Sequence, residues 1–234
     1  MKDFINTLIL LEKIDPQYKK YKEIKRELNE AADSSFSVEA LKYILSFDEA
    51  RQYCVQHLGQ PIGQGSSRIV FQIDDAQVLK LATNSRGVAQ NRVEAKTKEM
   101  KLPIFPYILY NADNYQWIIT EFVLPAEEED IQHCLGIDVR SFLFFVIQAI
   151  KDLKYCGGLS AYQENFANEY GDCEFYRELA KYILNYDIPI GDIQRIENWG
   201  LTKRNGKECL VILDPGWNKE TMQLYGCRPS DNVE

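Results

Sequence analysis

The stretch LGQPIGQGSSRIVFQIDDAQVLKLA, residues 58–82, carries the pattern on which the fold turns. Gly63 and Gly65 flank a single residue. A run rich in β-branched and aromatic side chains follows, Asp74-Asp75 marks a turn, and a second run ends in Val78-Leu79-Lys80-Leu81-Ala82. Short β-rich runs bounded by turn residues predict strands over Ile69–Ile73 and Gln77–Ala82, paired antiparallel. Glycines with no Cβ let backbone N–H groups approach an anion closely. A lysine inside an apolar strand is costly to bury without an anionic partner, and its ammonium is a point charge suited to phosphate. Glu94, on a helix expected from Val88 to about Met100, is the candidate partner.

Upstream, residues 1–34 read as helical and amphipathic. Tyr18, Tyr21, Ile24 and Leu28 recur three or four apart among charged residues, and Pro16 splits the segment. Ser37 is placed to cap a helix running to about Leu45. Ser46-Phe47-Asp48-Glu49 has the capping-box pattern for another, ending near Gly59. Residues 1–58 are therefore expected to form an N-terminal helical extension.

Downstream, Thr83–Gly87 reads as a turn. Pro103 and Pro106 punctuate the approach to a strand at Tyr107–Tyr110, Asn111–Asn114 is a turn, and Trp117–Val123 is another strand. The pattern turns helical from about Glu127. Val139–Tyr155 is strongly apolar and stops at Gly157-Gly158, and Cys173 to about Tyr186 reads as a further helix. Asn198–Trp217 reads as a hairpin around the Asn205-Gly206 turn. The expected class is α+β: a small antiparallel sheet in residues 59–125 and a helical part with a late hairpin in residues 126–234.

The chain has 234 residues, 45% hydrophobic and 12% aromatic, which is the composition of a folded globular protein. Its formal charge of −8 argues against a general nucleic-acid or membrane-surface binder. Six cysteines lie far apart with no CxxC pair, and there are two histidines, His57 and His133, so the residues of a zinc site are not in evidence in the pattern. No basic start followed by a long apolar run marks a secretion signal, and no stretch is apolar enough to span a bilayer. The expected setting is the cytoplasm, with reduced thiols.

Asp214 ends the late apolar run Val211-Ile212-Leu213, and Asn198 opens the same hairpin. Together they offer two hard oxygen ligands of the kind Mg²⁺ favours. With these residues in place, Gly59–Trp217 resembles the protein-kinase-like superfamily, including its aminoglycoside-phosphotransferase branch. GQGSSRIV looks like the glycine-rich loop G-x-G-x-x-G-x-V, with Gly63, Gly65 and Val70 in register. VLK resembles the strand that carries the phosphate lysine, Lys80. QWIITEFV resembles the strand leading to the adenine-binding hinge, near Glu121 and Val123. GDIQRIENWGL resembles the catalytic loop, with Asp192 as base and Asn198 as metal ligand, and ILDPGW resembles the D-F-G segment, with Asp214 as metal ligand. The wording of these motifs is most similar to small kinase-like proteins encoded by bacteriophages.

The chain departs from the family pattern in several places. Arg68 stands where the third loop glycine would be; its guanidinium could clamp a phosphate or hinder its approach, and the plain reading is a solvated side chain. Asp192 and Asn198 are six apart, where the family spaces them five apart. No His-Arg pair precedes Asp192, and Pro215 replaces the Phe of D-F-G. Eighteen residues follow Gly216, so the A-P-E segment and the peptide-docking helices are expected to be absent. Each residue also has a plain reading: Gly63 and Gly65 as a turn, Lys80 as an edge-strand lysine, Asn198 as a hairpin cap, Asp192 and Asp214 as turn residues.

The resemblance implies a two-lobed kinase-like fold with a reduced C-terminal part, binding ATP and Mg²⁺. Gly63, Gly65, Ser66, Ser67, Lys80, Glu94, Glu121 and Val123 would contact the nucleotide. The implied activity is phosphoryl transfer to an acceptor other than free peptides, and nucleotidyl transfer stays open. The alternative is a non-catalytic kinase-like module, serving as a phage virion component or host-interaction protein, since fold does not imply function. The corresponding locations are the host cytoplasm or the virion, and the N-terminal helices would be the surface for a protein partner.

Overall fold

A computed structural model of the chain describes residues 35–158, 160–170, 178–179, 182, 195–214 and 221. The expected helices within residues 1–34 and Cys173–Tyr186 lie wholly or mostly outside these, as do Asp192 and the end of the hairpin reading at Trp217. The chain divides into two units, Met1–Pro61 and Ile62–Glu234.

In the first unit, Ser37 caps α1 (Val38–Leu41) by accepting from the Ala40 N–H. The helix stops well before Leu45, because the Tyr43 and Ile44 N–H groups turn back to carbonyls only three residues behind. The hydroxyl of Tyr53 holds this corner, accepting from the Ser37 N–H at 2.9 Å and donating to its carbonyl at 3.2 Å. Ser46 caps α2 (Phe47–Leu58), which ends at Gly59 with φ of 84°, as its pattern predicts. Cys54 is fully buried on α2, and burial pushes its thiol up to about 12.

The second unit is mixed α and β with antiparallel pairing, as the sequence predicts at the level of class. A five-stranded sheet has the order β1-β2-β3-β5-β4, from β1 (Gly63–Gln64), β2 (Arg68–Gln72), β3 (Gln77–Ala82), β4 (Ile108–Asn111) and β5 (Trp117–Glu121). A second sheet contains β6 (Leu124–Pro125), β7 (Trp199–Arg204) and β8 (Lys207–Ile212), in that order. Asn205 and Gly206 turn β7 into β8 with φ of 52° and 79°, the pair of positive φ angles that a two-residue hairpin requires.

The expected turn over Thr83–Gly87 is corrected. Asn84 is an N-cap, its Oδ1 accepting from the Arg86 and Gly87 N–H groups, and α3 (Ser85–Ala95) begins at once. The chain breaks at Lys96 before the short α4 (Thr97–Met100), which ends on Lys101 in a left-handed conformation. Gly87 is required there: a Cβ would sit 2.1 Å from the Ser67 carbonyl oxygen. After β6 come α5 (Glu128–Leu135), α6 (Val139–Cys156) and α7 (Ala161–Tyr170). The left-handed Gly157 ends α6. No helix among the described residues is long and apolar enough to cross a membrane.

Strand alternation divides the five-stranded sheet into two faces. Ile69, Phe71, Leu79, Leu81, Trp117 and Ile119 stand in cross-strand rows on one face, all buried. The second sheet closes a separate core with α5 and α6, in which Trp199 meets Phe142 edge-on at 5.3 Å between ring centres.

Candidate functional site

The same alternation sends Arg68, Val70, Val78, Lys80, Ile118 and Thr120 to the opposite face. Val70 pairs with Lys80 and Arg68 with Ala82, so Arg68 and Lys80 are diagonal neighbours on adjacent strands. Two cations this close repel unless an anion lies between them. α3 supplies it. Gly87, Gln90, Asn91 and Glu94 recur at helical spacing and are all buried. Gly87 lets the helix approach the sheet, and Glu94, with no exposed surface, reaches both cations.

Lys80 Nζ donates to Glu94 Oε1 and, at 2.8 Å, to the Leu213 carbonyl. Arg68 Nη1 donates to Glu94 Oε2 at 2.5 Å and to Asn91 Oδ1 at 3.3 Å, while Nη2 donates to Asp214 Oδ1 at 2.6 Å. Burial alone would make the guanidinium easier to deprotonate, but the charges of Asp214 and Glu94 outweigh this and hold its pKa above the ordinary arginine value. Two cations and two carboxylates thus form one compact cluster at the start of a cleft.

The cleft, about 520 Å³, lies between the two sheets. Gly63, Val70 and Thr120 line it from the five-stranded sheet, and Val123, Leu213 and Asp214 from the other side. Its size and largely apolar walls, with a charged cluster at one end, suit a small organic ligand.

Glu121 also borders the cleft, but its carboxylate is already engaged. It accepts from Arg204 Nη2 at 2.7 Å, Thr202 Oγ1 at 2.5 Å and the Tyr107 N–H at 3.0 Å. Burial pushes its pKa up, but the hydrogen bonds from Arg204 and Thr202, then Tyr107, outweigh burial and bring it below the ordinary value. Arg204 also donates to the Pro103 and Phe105 carbonyls and stacks 3.9 Å above the Tyr107 ring. This group ties β7 to β5 and to the segment before β4.

The structure brings Gly63, Lys80, Glu94, Glu121, Val123 and Asp214 to this cleft or the cluster beside it. Asn198 stands at the open end of the hairpin, its carbonyl accepting from the Leu213 N–H at 2.8 Å. Gly65 and Ser66 are exposed on the loop between β1 and β2. Ser67, expected at the nucleotide, is buried, and its hydroxyl donates to Gln90 Oε1 at 2.6 Å. One expectation is corrected. Arg68 is not solvated, being 8% exposed and bound to two carboxylates. Asp192 lies outside the described residues.

Sequence reasoning missed Asn91, Thr202 and Arg204. The polar stripe Gly87-Gln90-Asn91-Glu94 was a legible signal for Asn91, since four such residues share one helical face. Nothing local marks Thr202 and Arg204, which alternate on a strand as surface residues would.

Asp214 and Asn198 both stand at the open end of the hairpin, Asn198 joined by its backbone to Leu213 and Asp214 by its carboxylate to Arg68; both side chains carry hard oxygen donors. Among the described residues, no group of three or more His, Cys, Asp or Glu side chains converges as a metal cage. No protein-family model matches the chain, and no curated protein matches it.

Proposed function

We propose that the chain is a nucleotide-binding phosphotransferase of the protein-kinase-like type, two-lobed about the cleft between its sheets and using ATP with Mg²⁺. One observation carries this reading. Lys80, on a strand of the sheet that carries the glycine-bearing loop, is paired with Glu94 on the next helix and touches the backbone beside Asp214. Pairing by Glu94 holds the ammonium at the cleft, so a phosphate meets a pre-oriented cation. The glycine at Gly63 keeps side-chain bulk away from the nucleotide, and Val70, Thr120 and Val123 supply apolar walls for a base.

Asn198 and Asp214 would hold the metal, which supplies charge neutralisation on the phosphates when bound. In transfer, an acceptor oxygen bonds to the terminal phosphorus, the bond to the bridging oxygen of the departing diphosphate breaks, and the acceptor proton passes to a base. Asp192 is the sequence's candidate for that base.

The second reading, a non-catalytic kinase-like module in a virion or bound to a host protein, is favoured by one feature: Arg68 already engages Asp214. Thermal unfolding with ATP, with and without Mg²⁺, separates the two. The phosphotransferase reading expects a rise in Tm at saturating nucleotide, since binding at 100-fold above Kd stabilises by about 2.7 kcal/mol. It expects the rise to shrink in Lys80→Ala. No rise under any condition supports the module and sinks the nucleotide reading.

A further inference from the structure

We infer that the Arg68 guanidinium and a divalent cation compete for the Asp214 carboxylate, so that the metal site stays closed until a phosphate draws Arg68 away. The inference rests on the reading of Asp214 as the metal-holding residue. Arg68 lies in the position where the loop pattern calls for glycine, yet it is buried and directed inward. Its two arms have separate tasks. Nη1 holds Glu94 and Asn91, and Nη2 holds Asp214. Asp214 can therefore be released when the whole planar guanidinium pivots about its Nη1 bond to Glu94, which swings Nη2 away.

The charge balance gives the direction. Arg68, Lys80, Glu94 and Asp214 sum to zero, so a divalent cation arriving alone brings two positive charges next to two others in a partly dehydrated pocket. Arg68 holds Oδ1 of Asp214, and its positive charge beside that carboxylate repels a metal ion approaching the same group. Phosphate reverses both obstacles. It adds negative charge, and it offers the freed Nη2 an acceptor suited to guanidinium geometry. Metal and phosphate would then bind in a coupled manner, each favouring the other.

The test is Mn²⁺ binding to the full chain, read from the loss of the free-ion electron paramagnetic resonance signal. The first arm contains no nucleotide. Arg68→Ala is expected to bind Mn²⁺ at least tenfold more tightly than the wild type, and the gain should vanish in the double variant with Asp214→Asn. Arg68→Lys keeps a charge but cannot span Glu94 and Asp214 together, so it should gain affinity to a lesser degree; it decides the matter should Arg68→Ala fail to fold. Equal affinity in wild type and the Arg68 variants, or a gain that survives loss of Asp214, overturns the competition. A second arm adds a non-hydrolysable ATP analogue, which should tighten Mn²⁺ binding more in the wild type than in Arg68→Ala. If the analogue neither binds nor shifts Tm in any variant, the nucleotide reading falls, while the first arm still reports on Asp214.

Discussion

Arg68 and Asp214 stand 146 positions apart in the chain and meet at 2.6 Å. One begins the second strand of the five-stranded sheet and the other follows the last strand of the smaller sheet. Their bond therefore links the two sheets across the mouth of the cleft, and Lys80 adds a second link through the Leu213 carbonyl. Asp214→Asn keeps an oxygen that can accept from Arg68. We expect its fold to survive, with an unfolding midpoint close to wild type, and Mg²⁺-dependent nucleotide binding to be lost. Magnesium-dependent binding of wild-type strength in this variant would remove Asp214 from the site.

Glu94 and Lys80 should differ sharply in their contribution to stability. Replacing Glu94 with Gln leaves Arg68 and Lys80 buried without their shared anion, and breaking a buried pair in this way costs about 3–5 kcal/mol. Lys80→Ala leaves Glu94 still bonded to Arg68, so the loss should be nearer the ~1–3 kcal/mol of a single partner removed. Urea unfolding of both variants checks the order, and a larger loss for Lys80→Ala would contradict the arrangement.

Gly200 packs where no side chain fits. A Cβ there would lie 2.5 Å from Val123 Cγ1, 2.7 Å from Leu213 Cδ2 and 2.9 Å from the Leu124 carbonyl oxygen. Gly200→Ala should lower stability by about 1–3 kcal/mol, as overpacking does, and should weaken ligand binding because Val123 and Leu213 line the cleft. Denaturant titration and nucleotide binding measured on the same sample test both halves. An alanine variant with wild-type stability would show that the hairpin is free to move away from Val123.

Glu121 sets an acid limit. Its folded pKa lies below the ordinary value, so the ionised form is favoured in the fold. The stabilisation is complete above the unfolded pKa of about 4.3 and is lost as pH falls through the lower folded value. Glu121→Gln should therefore reduce stability at pH 7 and flatten its decline in acid. Unfolding midpoints between pH 3 and pH 7 measure this, and parallel curves for both proteins would rule Glu121 out as a source of the acid sensitivity.

The local elements were legible because their causes are local. Ser37, Ser46 and Gly59 mark helix ends through backbone hydrogen bonds only a few residues away, and Asn205-Gly206 sets its hairpin through its own φ angles. Lys80 called for a nearby anion for the same kind of reason: an ammonium in an apolar strand needs one, and Glu94 lies on the next helix. Thr83–Gly87 misled because an Asn that caps a helix and an Asn in a turn use the same side-chain bond to following N–H groups.

Arg68 shows what only tertiary structure decides. An arginine at the first position of a strand after an exposed loop has nothing local to keep it from solvent. Its burial depends on α3 bringing Asn91 and Glu94 over the sheet and on the hairpin bringing Asp214 from the other end of the chain. The same holds for Glu121, whose partners Thr202 and Arg204 lie more than eighty residues away. Hydrogen bonds and ion pairs of this range carry no periodicity, because a single atom pair repeats nothing along the chain. The sequence determined which strands and helices form and where the charges stand on them, while folding determined which charges meet.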